Sequence, residues 1–96
     1  MFEFEFASTV TRWQGAAAWH FNTLPPELAE DIRRFCGDLA AGWGSIRVDA
    51  RIGETQWSTS IFPDKASSSY LLPVKAAVRR AEGIGEGDDV DVLLRV

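Results

Sequence analysis

Apolar and polar residues alternate most regularly between residues 45 and 62, on either side of Gly53-Glu54. A glycine in first place suits the two-residue type II′ turn, which joins neighbouring antiparallel strands. Folding the chain there gives an apolar face with the pairs Ile52–Thr55, Ala50–Trp57, Val48–Thr59 and Ile46–Ile61. The polar face has the pairs Arg51–Gln56, Asp49–Ser58 and Arg47–Ser60. In this register, apolar residues of one strand lie opposite apolar residues of the other, and polar residues lie opposite polar ones. The pattern therefore predicts a hairpin with this pairing. Pro63 is predicted to end it.

The same two-residue period predicts strands at both ends of the chain. In residues 2–12, one face carries Phe2, Phe4, Phe6, Ser8 and Val10. After a turn at residues 13–15, residues 16–21 are predicted to form a second strand. Residues 70–72 predict a short strand, and the final strand carries Val90, Val92, Leu94 and Val96 on one face. Together with the hairpin, these segments give about six strands.

Two short helices are predicted where prolines interrupt the strands, since proline suits the first turn of a helix. The first follows Pro25-Pro26, ends at Gly37 and has an apolar stripe of Leu28, Ile32, Phe35, Cys36 and Leu39. The second begins at Pro73 and has a stripe of Val74, Ala77, Val78 and Ala81. Gly83 then lies where a left-handed helix cap belongs, with Ile84 folded back on Val78.

Strands with one apolar face and short connections favour a mainly β fold. We therefore predict a small closed or nearly closed β-barrel of about six strands, accompanied by two short helices. A chain of 96 residues suits one hydrophobic core. Residues 1–96 are accordingly expected to form a single barrel domain.

Composition and net charge limit the compartments in which the protein is expected and the classes of partner that it could bind. A net charge of −4 argues against binding to nucleic-acid backbones, which requires clustered cations. No apolar run could span a membrane, and the amino end does not resemble a signal peptide. A single cysteine, Cys36, precludes an intrachain disulfide and fits a reducing compartment. We therefore expect a cytoplasmic protein without membrane association, either a monomer or a weak homodimer.

A small basic group lies on the second predicted helix of this acidic chain. Lys75 and Arg79 are four residues apart and share one side, whereas Arg80 is turned away by about 100°. One interpretation is an anion site in which Arg79 binds a carboxylate or phosphate through two hydrogen bonds. The alternative is a solvated face balanced by nearby acids, namely Glu82, Glu86, Asp88, Asp89 and Asp91. The sequence leaves both interpretations open.

Trp19 and His20 are the other candidates for a binding site. The flat ring of Trp19 suits one wall of a site for a planar ligand, and core packing is the alternative. His20 is the one histidine, and it could act as a catalytic base only beside an acid or a nucleophile. Neither His20 nor Cys36 has neighbours at metal-ligand spacing, and no cofactor motif is present. We therefore expect neither a metal nor a cofactor.

Five blocks of the sequence, taken in order, form a recognisable set. They are Trp19-His-Phe with Leu24-Pro, Ile46-Arg-Val-Asp-Ala-Arg-Ile-Gly-Glu-Thr, Trp57-Ser-Thr-Ser-Ile-Phe-Pro, Tyr70-Leu-Leu-Pro-Val-Lys-Ala-Ala-Val-Arg and Gly85-Glu-Gly-Asp-Asp-Val-Asp-Val. This set resembles the bacterial domain-of-unknown-function family numbered nineteen hundred and five. The resemblance implies a small β-barrel similar to the double-split barrels of AbrB-like transition-state regulators. It implies no activity.

Three hypotheses for function remain. The first is a module that binds a small anionic ligand or a protein partner without catalysis, through Lys75, Arg79, Arg80, Trp19 and His20. The second is AbrB-like binding of nucleic acid by the basic helix at residues 73–82, against which the acidic balance counts. The third is an enzyme that uses His20 with a carboxylate. The lack of a catalytic constellation in the sequence favours the first.

Overall fold

The computed structural model describes residues 2–15 and 19–96, which form a closed antiparallel barrel. Its strands are β1 (Glu3–Arg12), β2 (His20–Thr23), β3 (Ile46–Ile52), β4 (Thr55–Asp64), β5 (Ser69–Pro73) and β6 (Asp89–Arg95). Its helices are α1 (Pro26–Cys36), followed by a 3-10 turn (Gly37–Leu39), and α2 (Ala76–Glu82). The prediction of a mainly β, six-stranded barrel with two short helices is confirmed.

The strands follow the order β1-β2-β5-β4-β3-β6 around the barrel. β6 closes the barrel because it pairs with β1 on one side and with β3 on the other. β1 changes its neighbour along its length: Glu3 to Thr9 pair with β6, and Val10 to Arg12 pair with β2. β2 and β5 are distant in sequence but adjacent in the barrel. This adjacency brings the start of α2 next to β2.

Every pair predicted for the β3–β4 hairpin is present, from Ile52–Thr55 at the turn to Ile46–Ile61 at the far end. Gly53 takes a φ of 59°, as the first position of a type II′ turn requires. The register is correct because the apolar face of each strand must lie inside the barrel. A shift by one residue would bury charged side chains instead.

The hairpin pairing ends before Pro63, as predicted, but the strand does not, since β4 continues to Asp64 and Pro63 pairs with Tyr70 of β5. β3 pairs with β4 only as far as Ile61. Beyond Ile61, β4 forms no backbone hydrogen bonds with β3. Pro63 lacks an N–H group, but no carbonyl of β3 needs that donor at this position. A proline can therefore stand in this strand without ending it.

The core lies inside the barrel and beneath α1. Its buried strand residues include Phe6, Val10, Ile46, Val48, Ala50, Ile52, Trp57, Ile61, Leu72, Val90, Val92 and Leu94. Phe4 is partly buried, but Phe2 is 41% exposed, contrary to its predicted place on the buried face. Phe2 precedes the first residue of β1, and its ring stacks on Phe35 at 5.7 Å outside the barrel.

α1 buries Ala29, Ile32 and Cys36, with Leu28 packed beside them. The predicted stripe is therefore only partly correct, because Phe35 and Leu39 are 50% and 60% exposed. The helix docks with its buried face turned towards Ala29, which the apolar pattern alone did not indicate. The helix ends at Gly37 as predicted, although Gly37 has a right-handed φ of −60° and continues into the 3-10 turn.

α2 begins at Ala76, not at Pro73, because Pro73 is the last residue of β5 and pairs with Phe21. Val74 and Val78 are buried as predicted, whereas Ala77 and Ala81 are exposed. Gly83 caps the helix in the left-handed conformation, with a φ of 64°. The amides of Gly83 and Ile84 bond to the carbonyls of Arg80 and Arg79, which is the Schellman arrangement.

The strand predicted at residues 16–21 corresponds to β2, which runs from His20 to Thr23. Residues 16–18 of that prediction lie outside the described residues. Within the described ranges, neither helix has the length or the apolar content needed to traverse a bilayer.

Candidate functional site

A cavity of about 280 Å³ opens where α2 lies beside the start of β2 and the first half of β4. The amide of Val74 donates a hydrogen bond of 2.9 Å to the carbonyl of His20, which fixes the entry to α2 beside β2. Trp57 reaches the same region from β4. We call this space the α2 cavity, and its functional lining consists of Trp19, His20, Trp57, Lys75 and Arg79.

Four of the five residues singled out from the sequence line this cavity: Trp19, His20, Lys75 and Arg79. The fifth, Arg80, is exposed and does not line it. The difference follows from helical spacing, since residues four apart share a face and the next residue is turned by about 100°. That these residues bind a ligand remains a prediction.

Arg79 is held in place by its own backbone neighbourhood. Its Nε donates a hydrogen bond of 3.1 Å to the carbonyl of Val74, and the side chain is half-buried. This bond uses one nitrogen of the guanidinium, which leaves the donors of the two terminal nitrogens for another acceptor. A guanidinium fixed in this way loses less side-chain entropy when it binds a ligand.

Neither Lys75 nor Arg79 is neutralised by an ion pair within the described part of the chain, where the salt bridge joins Arg95 to Glu3 at 2.7 Å. Three of the five acids that could balance the helix accept hydrogen bonds from other residues. Glu82 accepts a hydrogen bond from Thr55, and Asp88 accepts one from the amide of Gly85. Asp89 accepts one from Thr9. In the described residues, therefore, neither Lys75 nor Arg79 has a carboxylate within ion-pair distance.

His20 is 9% exposed and lies in a concave site, as the enzyme hypothesis requires. That hypothesis also requires a carboxylate within hydrogen-bond reach. None of the described residues that line the α2 cavity is an acid. Among residues 2–15 and 19–96, no three side chains of the types His, Cys, Asp and Glu gather as a metal site would need.

The sequence did not point to Trp57, Ser58 or Thr59 as part of a site. Trp57 lies on the predicted apolar face of the hairpin and is 7% exposed, but it also lines the α2 cavity. The hydroxyl of Ser58 donates to the Asp49 carboxylate across the hairpin. The one available signal was the β4 register, which alone could not show that α2 would pass over this part of the strand.

A larger and more open depression of about 580 Å³ lies on the outer surface of β1, β6 and β3. Its charged residues are Glu5, Asp91 and Arg51, so both signs of charge are present. It contains none of the residues that the sequence indicated. The α2 cavity is the better candidate for an anion site because its charged side chains are Lys75 and Arg79.

No curated protein matches the chain at a significant level. The family model described as Domain of unknown function (DUF1905) matches residues 6–94. The match extends from the first buried residue of β1 to the last buried residue of β6, so it covers nearly all of the barrel together with both helices. The likeness to AbrB-like barrels stays a prediction. The chain belongs to the DUF1905 family.

Proposed function

We propose that this chain binds a small anion in the α2 cavity and does not catalyse a reaction on it. The observation that carries the proposal is the pair of cations, Lys75 and Arg79, which lack a carboxylate partner among the described residues. Cations grouped without internal neutralisation attract an external anion. A carboxylate or phosphate group would meet both cations from the mouth of the cavity.

The surroundings of the two cations make an anion bind more tightly there than on an open helix surface. Trp19 and Trp57 lower the local dielectric constant on one side, which strengthens the attraction between opposite charges. A hydrogen bond to a charged group contributes about 1.5–3 kcal/mol. The bond from Arg79 to the Val74 carbonyl holds the guanidinium ready, so little of this energy is lost in ordering it.

Binding without catalysis agrees with the lining of the α2 cavity. The titratable side chains of the described lining are His20, Lys75 and Arg79, and no carboxylate is among them to act as an acid or base on a ligand. Nucleic-acid binding is less well supported, because Lys75 and Arg79 line a small cavity and the net charge of the chain is −4. We place the protein in the cytoplasm, where a buried thiol such as Cys36 remains reduced.

The proposal can be tested by titrating the isotopically labelled protein with phosphate, sulfate and acetate at constant ionic strength and recording amide chemical shifts. We expect saturable shifts at His20 and at residues 74–79, with chloride producing no such effect. A panel without saturable shifts in these residues would overturn the proposal. So would saturable shifts confined to the outer depression around Arg51.

A further inference from the structure

Three aromatic side chains form a cluster beside the α2 cavity. Trp13, Trp19 and Phe21 have ring centroids 5.7 to 6.2 Å apart and contact one another edge-on or at a tilt. Trp13 is 49% exposed and Trp19 is 38% exposed, so much of this surface faces solvent. Grouped exposed aromatic rings are rare on soluble domains and mark binding surfaces. We call these three residues the aromatic cluster.

The ring of Trp13 has a defined place in this cluster. It lies over Gly15, where an added Cβ would come within 2.5 Å of the indole Nε1. Glycine at this position therefore leaves room for the ring to lie against the backbone. Beside it is a shallow depression of about 320 Å³ whose lining includes Arg12, Trp13 and Phe21. The Trp13 indole therefore packs against the backbone at Gly15 as part of this surface.

The aromatic cluster and the α2 cavity are joined at Trp19, which belongs to the first and lines the second. A ligand that occupies the cavity can therefore extend onto the cluster. The α2 cavity of about 280 Å³ and the depression of about 320 Å³ are each close to the lower limit of the roughly 300–1,000 Å³ of ordinary ligand sites. Trp19 connects them through its contacts with Trp13 and Phe21. One end of this combined site is cationic, and the other is a flat aromatic surface.

We propose that the ligand is a nucleoside monophosphate, with its phosphate at Lys75 and Arg79 and its base on the aromatic cluster. This assignment rests on the anion site described under Proposed function. A phosphate monoester carries close to two negative charges at neutral pH, which matches the two cations. Every nucleobase has a flat face, and stacking on an aromatic side chain contributes about 1–3 kcal/mol per base.

Other ligand classes use only half of the site. An inorganic anion satisfies Lys75 and Arg79 but leaves the aromatic cluster exposed. An apolar ring or a proline-rich peptide covers the cluster but leaves the two cations without a counter-charge. A long nucleic acid brings many phosphates to a chain with a net charge of −4, and its affinity would suffer from that repulsion.

The test compares adenosine monophosphate, ribose 5-phosphate and adenosine as ligands of the unmodified protein by isothermal titration calorimetry. Stacking of about 1–3 kcal/mol predicts that adenosine monophosphate binds about 5- to 150-fold more tightly than ribose 5-phosphate. Trp13→Ala should remove most of this difference without changing the affinity for ribose 5-phosphate. The matched control is Trp43→Ala, because Trp43 is 91% exposed and lies outside both spaces.

The outcomes separate this inference from the anion site on which it rests. Equal affinities for adenosine monophosphate and ribose 5-phosphate, both reduced by Arg79→Gln, would overturn the nucleotide assignment and leave the anion site intact. Absence of binding by ribose 5-phosphate, or binding unaffected by Arg79→Gln, would overturn the anion site. Because the first comparison uses the unmodified chain, a folding defect in Trp13→Ala cannot obscure the result.

Discussion

The side chain of Cys36 illustrates how position sets the chemistry of a single residue. It is fully buried in α1 among the core residues, where burial raises the pKa of the thiol and Asp38 raises it further. The thiolate is the reactive form of cysteine, so both effects suppress its reactivity. Cys36 is therefore a packing residue in this protein, as its small apolar side chain suits.

We predict that a thiol reagent such as dithionitrobenzoate labels Cys36 far more slowly in the native protein than in the unfolded chain. The reason is that both access and deprotonation require the core to open. Stopped-flow absorbance with and without urea measures the two rates, and a free small thiol provides the reference. Equal rates in the native and unfolded protein would show that the thiol is accessible.

Among residues, the positions that face the α2 cavity could be predicted in part. The four-residue spacing of Lys75 and Arg79 placed them on one side and turned Arg80 away, and the structure has this arrangement. The exposure of Phe2 and Phe35 could not be predicted, since each fits an apolar stripe of its own segment. They contact each other outside the core, a long-range outcome that no local pattern contains.

At the level of elements, the helix ends contain two glycines with different backbone requirements. Gly83 has a φ of 64°, in the left-handed region, whereas Gly37 has a φ of −60°, which any residue adopts. A Cβ at either position would meet no atom within 4 Å. The two positions therefore differ in backbone conformation and not in available space.

We predict opposite effects of alanine at these two positions. Gly83→Ala should lower the free energy of unfolding by about 1–2 kcal/mol, because a left-handed conformation costs an L-residue this much. Gly37→Ala should raise it by about 0.4–1 kcal/mol, because alanine reduces the entropy of the unfolded chain without native strain. Urea unfolding followed by tryptophan fluorescence gives both values. A loss of equal size in both variants would contradict the explanation.

Elements were predictable where two segments constrained each other. The β3–β4 register follows from the sequence because each strand independently separates apolar from polar residues, and only one alignment satisfies both. The start of α2 was misplaced because Pro73 suits both the first turn of a helix and the end of a strand. Pro73 ends β5 because it pairs with Phe21 of β2, a residue that is distant in sequence.

At the level of the whole molecule, the barrel assembles a site from distant parts of the chain. Trp19 precedes β2 and His20 begins it, while Trp57 comes from β4. Lys75 immediately precedes α2, and Arg79 lies in the last turn of that helix. The pairing of β2 with β5 brings these parts together. The sequence supplied the candidate residues and the barrel class, but the order of strands around the barrel was not encoded in any local period.

The charge of the α2 cavity is opposite in sign to the net charge of the protein. The protein has a net charge of −4, yet the charged side chains of the α2 cavity are both cationic. Any substitution of a cation alters the overall field as well as the local one, so a useful control must change the same total charge. Arg79 and Arg80 offer such a pair, because they are adjacent in α2 and only Arg79 lines the cavity.

The central claim is therefore tested most directly by titrating phosphate into Arg79→Gln and Arg80→Gln and measuring the dissociation constants from amide chemical shifts. Loss of a charge-assisted hydrogen bond of about 1.5–3 kcal/mol predicts about 10- to 150-fold weaker binding by Arg79→Gln. Arg80→Gln, with the same change in total charge, should bind phosphate almost as the unmodified protein does. Equal weakening in both variants would contradict an anion site in the α2 cavity and indicate a general effect of charge.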